Sequence, residues 1–215
     1  MKKIGIIIAF AATLICTDRA NAIVKVEYGI RGGVNLGTAS KASYTNQTVT
    51  ATYDLDHNTG YHLGFTTRLT LLKLITIQPE ILYNHSAFNA TLRNPSSYTG
   101  GIVPPSSMKL TGNNINVPVL FGLKLTLFRL YGGPVFNVWN KFEYSGDDPA
   151  YKDPLNKYPS VGYQVGAGVS VWKLDIDVRF NGLGKGKNDP HVRFGNGSSM
   201  DFRHNSFMIS AGLMF

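Results

Sequence analysis

Apolar and polar residues alternate along most of the chain after residue 22. Alternation with a period of two is typical of a β-strand whose two faces meet different surroundings. In one such stretch Val161, Tyr163 and Val165 share a face, while glycine and glutamine occupy the positions between them. The pattern predicts eight strands, at about 25–36, 61–71, 75–84, 114–125, 128–139, 161–171, 174–181 and 206–215.

The predicted strands are mostly about 10–13 residues long. Strands of globular proteins usually have about 5–6 residues, whereas a tilted strand needs about 9–11 to cross a bilayer. Very short turns near 72–73, 126–127 and 172–173 alternate with long polar connections at about 38–59, 89–112, 140–159 and 182–205. Because outer-membrane barrels combine short periplasmic turns with long extracellular loops, we predict an all-β fold: an eight-stranded antiparallel transmembrane β-barrel in that orientation.

The chain ends on Phe215 after an apolar alternation that includes Leu213, Ala211 and Ile209. The last strand of a membrane barrel closes the sheet and faces lipid, so an aromatic terminus fits there. We interpret Phe215 as the signal by which the barrel-insertion machinery recognises the chain. A soluble barrel of the lipocalin type is the alternative, with its apolar face turned inward around a ligand. The nearly uncharged apolar face and the one-sided loops favour lipid outside.

The amino terminus has the features of an export signal. Two lysines follow Met1, an uncharged apolar run extends over 4–16, and residues 20–22 read Ala-Asn-Ala. This order predicts a signal peptide at 1–22 and an outer-membrane β-barrel domain at 23–215, exported through the general secretion pathway to the cell outer membrane. Cleavage would remove the only cysteine, which excludes disulfides and cysteine-ligated metals from the mature chain.

The full chain carries a formal charge of +8. An exported basic protein meets anionic lipid and lipopolysaccharide first, and we find no RNA- or DNA-binding motif, so nucleic acid is not an expected partner. The connection at 182–205 has more basic than acidic residues, which suits lipopolysaccharide. Its charged residues are Lys185, Lys187, Arg193 and Arg203 against Asp189 and Asp201.

Five short motifs follow one another along the predicted strands. They are Gly29-Ile30-Arg31-Gly32-Gly33-Val34-Asn35-Leu36, Gln78-Pro79-Glu80-Ile81-Leu82-Tyr83, Ile115-Asn116-Val117-Pro118-Val119-Leu120, Gly132-Gly133-Pro134 and Asp177-Val178-Arg179-Phe180-Asn181-Gly182-Leu183. In this order they resemble the PorT-like outer-membrane β-barrel proteins of Gram-negative bacteria. The resemblance covers the strands and fails in the loops. It implies an eight-stranded barrel and no shared activity, although one namesake assists a secretion system.

The polar faces of the predicted strands carry charges of both signs. An eight-stranded barrel has an interior just wide enough for side chains, so we expect these charges to pair inside it. They are Lys25, Glu27, Arg31, His62, Arg68, Glu80, Lys124, Asp175, Asp177 and Arg179. We interpret them as a polar core that holds the barrel rigid; the alternative is an ion path or a proton relay.

Few residues suggest catalysis. His204-Asn205-Ser206 has the spacing of the His-x-Ser pair in lipid A deacylases, but the strand phase turns Ser206 toward the lumen or rim, away from lipid. His57, His191 and His204 have no metal-like spacing, and no cofactor is expected. We therefore expect a protein that is not an enzyme, with a structural role or with extracellular loops that bind a protein partner. A narrow porin-like channel is the second hypothesis and a lipid A-modifying enzyme the third.

Overall fold

The structure is a computed structural model in which the described residues form twelve β-strands. It describes residues 24–37, 41–45, 50–55, 59–92, 107–145, 161–183, 191–193, 199–202 and 205–215. The predicted signal peptide lies outside the described residues and stays a prediction. No helix in this part of the chain is long and apolar enough to cross a membrane.

The strands differ widely in length. They are β1 (Val24–Gly37), β2 (Lys41–Thr45), β3 (Thr50–Leu55), β4 (Thr59–Leu71), β5 (Ile75–Leu92), β6 (Ser107–Leu125), β7 (Phe128–Ser145), β8 (Val161–Val171), β9 (Leu174–Leu183), β10 (His191–Arg193), β11 (Ser199–Phe202) and β12 (Ser206–Met214).

Eight of these strands close into an antiparallel barrel in the order β1-β4-β5-β6-β7-β8-β9-β12. The ring closes because β1 pairs on one edge with β4 and on the other with β12, from Gly29↔Met214 to Gly37↔Ser206. The predicted eight-stranded barrel is confirmed.

Three short turns join β4 to β5, β6 to β7 and β8 to β9, where the sequence predicted them. Each contains at least one residue in the left-handed region, which side chains other than glycine rarely adopt. These residues are Leu72, Lys73, Thr126 and Trp172, with φ of 51°, 58°, 54° and 57°. Tight hairpins favour such angles because they match the right-handed twist of the strands. The β-branched Thr126 is the most crowded of the four in this conformation.

The sheet continues beyond the barrel on the side opposite the short turns. The β5–β6 ladder runs to Thr91↔Ser107, β3 pairs with the end of β5, and β2, β11 and β10 follow in that order. The connections expected at 38–59, 89–112, 140–159 and 182–205 therefore contain strand ends and short strands. Sequence periodicity missed them because the alternation that lipid imposes ends at the membrane border, whereas the backbone ladder continues beyond it.

The apolar face of the barrel points outward. On β4, Leu63 and Phe65 are 63% and 69% exposed. The inward-facing residues His62 and Thr66 of the same strand are buried. A lipocalin-type barrel would have the opposite arrangement, so that alternative is wrong. Aromatic residues border the outward face at both ends: Tyr61, Tyr83, Trp139, Tyr163 and Phe207 at the loop side, and Phe128, Trp172 and Phe215 at the turn side.

The height of the apolar face matches a bilayer. On β4, Tyr61 lies ten residues from Leu71 at the turn. A strand rising about 3.3 Å per residue at a tilt of about 40° covers about 25 Å in that span. This is the height of the lipid-facing band in outer-membrane barrels, about 25 Å.

Candidate functional site in the barrel lumen

The lumen is filled by the inward-facing side chains of all eight strands, as expected for a barrel of this size. Six large side chains are fully buried there: Arg31, Arg68, Arg129, Arg179, Leu82 and Leu120. Arginine is the most demanding of these, because an enclosed guanidinium needs carboxylates and other acceptors around it. The partners of the four arginines therefore define the site.

Two arginines and two carboxylates form a closed ring of alternating charge. Arg31 donates to both Glu80 and Asp177. Arg179 donates to Glu80 in a bidentate pair of 2.6 Å and 2.9 Å, and its Nε donates to Asp177 Oδ1 at 2.9 Å. All four side chains are at most 1% exposed. We call these residues the charge ring.

The charge ring spans the lumen. Glu80 is on β5 and Arg179 on β9, and three barrel strands separate these two along either direction of the sheet. Arg31, on β1, lies between them on one side. A bidentate arginine–carboxylate pair fixes distance and orientation together. The ring therefore braces opposite walls of the barrel and blocks its middle.

A second cluster lies on the side nearer the short turns. Asp175 accepts a hydrogen bond from Arg68, and Arg129 Nη2 is 3.1 Å from the same carboxylate oxygen. Gln78 Oε1 accepts from Arg68 Nε at 2.9 Å and from Arg129 Nη1 at 3.4 Å. Gln78 also donates to Glu80 at 2.5 Å, which connects this cluster to the charge ring.

Tyr131 supports both groups of charges. Its hydroxyl accepts a hydrogen bond from Arg179 Nε at 3.1 Å. Its ring centre lies 5.1 Å from the Arg179 guanidinium and 5.6 Å from that of Arg129. An aromatic face attracts cations at this range, and the attraction grows when water is excluded. Gln164 completes the coordination of Arg179 with a hydrogen bond of 3.0 Å.

Three apolar side chains are packed among these charges. Leu82, Leu120 and Val135 are buried on the adjacent strands β5, β6 and β7. They fill lumen volume that the charged side chains do not occupy, although Gln78 and Glu80 of β5 and Arg129 of β7 face the same wall.

Above the charge ring, three side chains form a hydrogen-bonded relay. His62 Nδ1 lies 2.7 Å from Asn35 Oδ1, and its Nε2 lies 2.9 Å from Ser210 Oγ. Because Asn35 donates its amide N–H groups to Asn84 Oδ1 and Tyr61 O, its oxygen faces the imidazole and His62 carries its proton on Nδ1. Ser210 then donates its hydroxyl proton to Nε2.

Gly33 makes this relay possible. It lies on β1 between His62 of β4 and Ser210 of β12, paired with both. A Cβ at this position would lie 2.0 Å from the backbone oxygen of Ile209 and 2.8 Å from His62 Cε1, and both distances are closer than side chains tolerate. The missing side chain therefore lets the imidazole reach across β1 to the serine. The relay ties three consecutive strands together.

The structure does not bring all ten predicted interior charges into one network. Those that meet there are Arg31, Arg68, Glu80, Asp175, Asp177 and Arg179, and His62 lies above them. Lys25 differs from the expectation: its side chain is 65% exposed at the rim, where it pairs with Glu27 at 2.8 Å. Lys124 is half-buried. A lysine at a strand end can extend its long stem and keep its ammonium group in water.

Sequence reasoning did not assign Arg129, Tyr131, Gln78 and Gln164 to the network. The strand at 128–139 was predicted without a clear phase because two glycines and a proline interrupt it. Its first residues do alternate, since Phe128 and Leu130 are exposed and the two residues between and after them are buried. That short alternation could have assigned Arg129 and Tyr131 to the lumen from the sequence. Gln78 and Gln164 lay on predicted polar faces but are uncharged.

The predicted insertion signal closes the barrel. The backbone N–H of Phe215 donates to Tyr28 O at 2.6 Å, and Tyr28 N–H donates back to Phe215 O at 3.1 Å. The ring is 66% exposed on the lipid side, and the Lys173 ammonium lies 5.6 Å from its centre. Phe215 thus makes the last pair of backbone hydrogen bonds between β1 and the carboxyl-terminal end of the chain. Its role in recognition by the insertion machinery stays a prediction.

The His-x-Ser pair proposed from sequence is only partly described. Ser206 is buried on the inward face of β12, and His204 lies outside the described residues. Among the residues that the structure describes, no three histidine, cysteine, aspartate or glutamate side chains are grouped to hold a metal ion.

Comparison with known proteins places this geometry in a family. A family model described as "Outer membrane protein beta-barrel domain" matches residues 18–184. No curated protein matches the sequence significantly. Among solved structures, the outer membrane protein OprG of Pseudomonas aeruginosa has a TM-score of 0.56 at 11% identity, with 92% of this chain and 99% of that chain covered.

Two further solved structures are more distant. Ail of Yersinia pestis, crystallised with the heparin analogue sucrose octasulfate, has a TM-score of 0.45 at 12% identity, covering 89% of this chain and 99% of that chain. The outer membrane protease OmpT of Escherichia coli has a TM-score of 0.44 at 12% identity, covering 88% and 96%.

Proposed function

The chain belongs to the outer membrane protein beta-barrel domain family and lies in the cell outer membrane, and from this premise we propose that it is a non-enzymatic, electrically closed barrel. On this proposal it acts structurally or by binding a partner outside the cell. Within this family we place it among the PorT-like proteins, because five motifs in its strands resemble theirs. The proposed export route is the general secretion pathway, with residues 1–22 removed.

The observation that carries the proposal is the charge ring. A conducting pore needs a continuous path for water, whereas Arg31, Arg179, Glu80 and Asp177 occupy the middle of the lumen and satisfy one another. Moving an ion through would separate these enclosed pairs and leave each charge buried without its partner. The apolar residues packed beside the ring fill further lumen volume.

The extracellular extension of the sheet supports partner binding. β5 continues nine residues past Tyr83, which is about 30 Å along the strand. β6 and β7 rise with it, and four short strands add to its edge. A paired sheet of this size positions loops more firmly than free connections would, and binding residues concentrate on loops held by a rigid scaffold. Lipopolysaccharide and an unidentified protein are the proposed partners.

Conductance of planar bilayers tests the closed lumen. Purified wild-type protein should leave the bilayer electrically silent, and Arg68→Ala should do the same while lowering the unfolding midpoint in detergent. Discrete wild-type channel events whose ion selectivity shifts in Arg68→Ala would overturn the proposal and establish the narrow channel. Insertion is verified beforehand by the heat-dependent shift of the protein on unheated and boiled gels.

A second candidate function rests on the relay of Asn35, His62 and Ser210. A serine hydrogen-bonded to a histidine that a third group orients is the arrangement of a nucleophilic hydrolase. Against it, Ser210 and His62 are each 2% exposed, so a substrate carbonyl cannot approach the hydroxyl. A fluorophosphonate probe distinguishes the two roles. The proposal expects no labelling; labelling that disappears in both Ser210→Ala and His62→Ala would make this protein an enzyme.

A further inference from the structure

The outer wall of the barrel changes from apolar to polar at one height on β4 to β7. Below the change, Leu63, Ile81 and Ile115 lie in the lipid-facing band, which ends in the aromatic side chains of Tyr83 and Trp139. One rung higher, polar and charged side chains take over the same outward face. Since an apolar band of about 25 Å lies in hydrocarbon, this rung lies at the headgroups of the leaflet on the loop side.

The polar rung is a continuous row across four strands. The register pairs Tyr61 with His85, His85 with Asn113, and Asn113 with Lys141. Glu143 follows on the outward face of β7. We call these five residues the outer-wall cluster.

The cluster is organised by its own contacts. The rings of Tyr61 and His85 stack at 4.9 Å with an interplanar angle of 27°. Tyr83 Oη and His85 Nδ1 both donate to Asn113 Oδ1, each at 2.7 Å. The oxygen of Asn113 is thereby occupied, and no acceptor among the described residues takes its amide N–H groups. An amide donor, a stacked aromatic face and a lysine therefore border one patch.

The ammonium group of Lys141 can exchange its partner. Lys141 donates to Glu143 at 2.5 Å, and both side chains are more than half exposed. Their hydrogen bond lowers the pKa of the Glu143 carboxyl and raises that of Lys141, so both are charged at neutral pH. An exposed pair of this kind is weak because water competes for both partners. An anion bound beside Lys141 can therefore take over its ammonium group.

We propose that the outer-wall cluster is a headgroup site for a phosphorylated glucosamine glycolipid of the outer leaflet. Lys141 and the Asn113 amide bind the phosphate, and the exposed ring of Tyr61 lies under the sugar. Lys109, exposed on the same face of β6 farther from the membrane, offers a second cation. The inference rests on the outer-membrane orientation in the proposed function and does not depend on a closed lumen.

The position of the cluster selects this lipid over the phospholipid of the other leaflet. The cluster is on the side of the long connections, whereas the opposite rim offers Lys173 between the rings of Trp172 and Phe215, at 5.7 Å and 5.6 Å. Among the described residues, that rim has a cation and aromatic groups but no side-chain amide next to them. Lys173 is therefore a matched control: an exposed interfacial lysine beside an aromatic ring, in the wrong leaflet.

Native mass spectrometry of the full barrel in detergent tests the site. The probes are bisphosphorylated lipid A, dephosphorylated lipid A and phosphatidylglycerol. Wild type should prefer the bisphosphorylated form to the other two. Lys141→Gln or Asn113→Ala should weaken that binding about tenfold, the expected effect of losing one hydrogen bond to a charged group. Glu143→Gln should strengthen it, because it releases Lys141 and removes a repelling carboxylate.

The remaining outcomes are also decisive. Lys173→Gln should leave lipid A binding unchanged. If Lys173→Gln weakened that binding as much as Lys141→Gln does, any exposed lysine would attract anionic lipid, and the proposal would be overturned. Unchanged binding in Lys141→Gln, or equal binding of phosphatidylglycerol, would overturn it too. The gel shift on heating verifies that each variant is folded. Bilayer recordings of the same samples report separately on the closed lumen.

Discussion

Removing both partners of the Arg179–Glu80 pair should destabilise the barrel clearly less than the sum of the losses from removing each partner alone. Glu80→Gln leaves two guanidiniums facing the single carboxylate of Asp177, and Arg179→Met leaves two carboxylates around Arg31. The double variant removes one charge of each sign. It leaves Arg31 and Asp177 as a balanced pair, which the structure already joins directly.

The magnitude follows from the contacts. Arg179 uses all three of its nitrogens and donates to Glu80, Asp177, Gln164 and Tyr131 at distances from 2.6 Å to 3.3 Å. Breaking a pair that is fully enclosed costs about 3–5 kcal/mol, mostly through the uncompensated charge left behind. Each single variant should lose that amount. The double variant should lose less than the sum of the singles by at least about 2 kcal/mol, since neither charge is left alone.

Urea unfolding in lipid vesicles measures these differences. The chain has two tryptophans, Trp139 and Trp172, and both are exposed on the outer wall, where their fluorescence reports loss of the lipid-facing surface. Lys141→Met is the matched control, because it also removes one partner of an ion pair but at an exposed site. Its unfolding midpoint should equal that of wild type.

Two results would refute this reasoning. One is a loss in Glu80→Gln and Arg179→Met no larger than in the exposed control, which would mean that water enters the lumen and screens the ring. The other is strict additivity in the double variant, which would mean that the two residues act independently despite their bidentate contact.

Two further predictions concern the ends of the strands. Thr126→Gly should stabilise the barrel by about 1 kcal/mol in the same urea assay, because it relieves a β-branched residue held at φ 54°; a lower midpoint would mean that the threonine side chain has a favourable contact. Deletion of Phe215 should reduce membrane insertion, because it removes both hydrogen bonds to Tyr28. The heat-dependent gel shift should then be lost, and a normal yield of folded protein would contradict the proposed signal.

The barrel could be predicted from the sequence because lipid imposes a strict rule on every residue between the two rims. Along β12, outward Phe207, Ile209 and Leu213 alternate with buried Ser206 and Ser210, as the period of two required. Beyond the aromatic border the outward residues no longer need to be apolar. The extension of β5 to Leu92 was missed because it lies beyond that border, where lipid no longer dictates the residue type on the outward face.

The candidate site could be predicted in content but not in pairing. The phase of each strand assigns a residue to the lumen, yet it says nothing of which side chain on the opposite wall it meets. The contact between Glu80 and Arg179 depends on the closure and register of the whole ring. The relay of His62 and Ser210 depends additionally on the missing side chain of Gly33, which the sequence shows only as one more glycine.

Enclosing so many charges costs free energy, but the charges help to fix the register of the sheet. A strand that slips by one residue turns all its side chains to the opposite face. For β9 such a slip would move Arg179 into lipid, at about 2–4 kcal/mol for an arginine at the bilayer midplane, and would also break its bonds in the lumen. Arg31 penalises a slip of β1 in the same way, whereas Arg68 and Arg129 lie nearer the short turns and impose a smaller penalty on β4 and β7. An apolar lumen would pack as well but would make the two faces alike, so the charge network selects one register as well as closing the barrel.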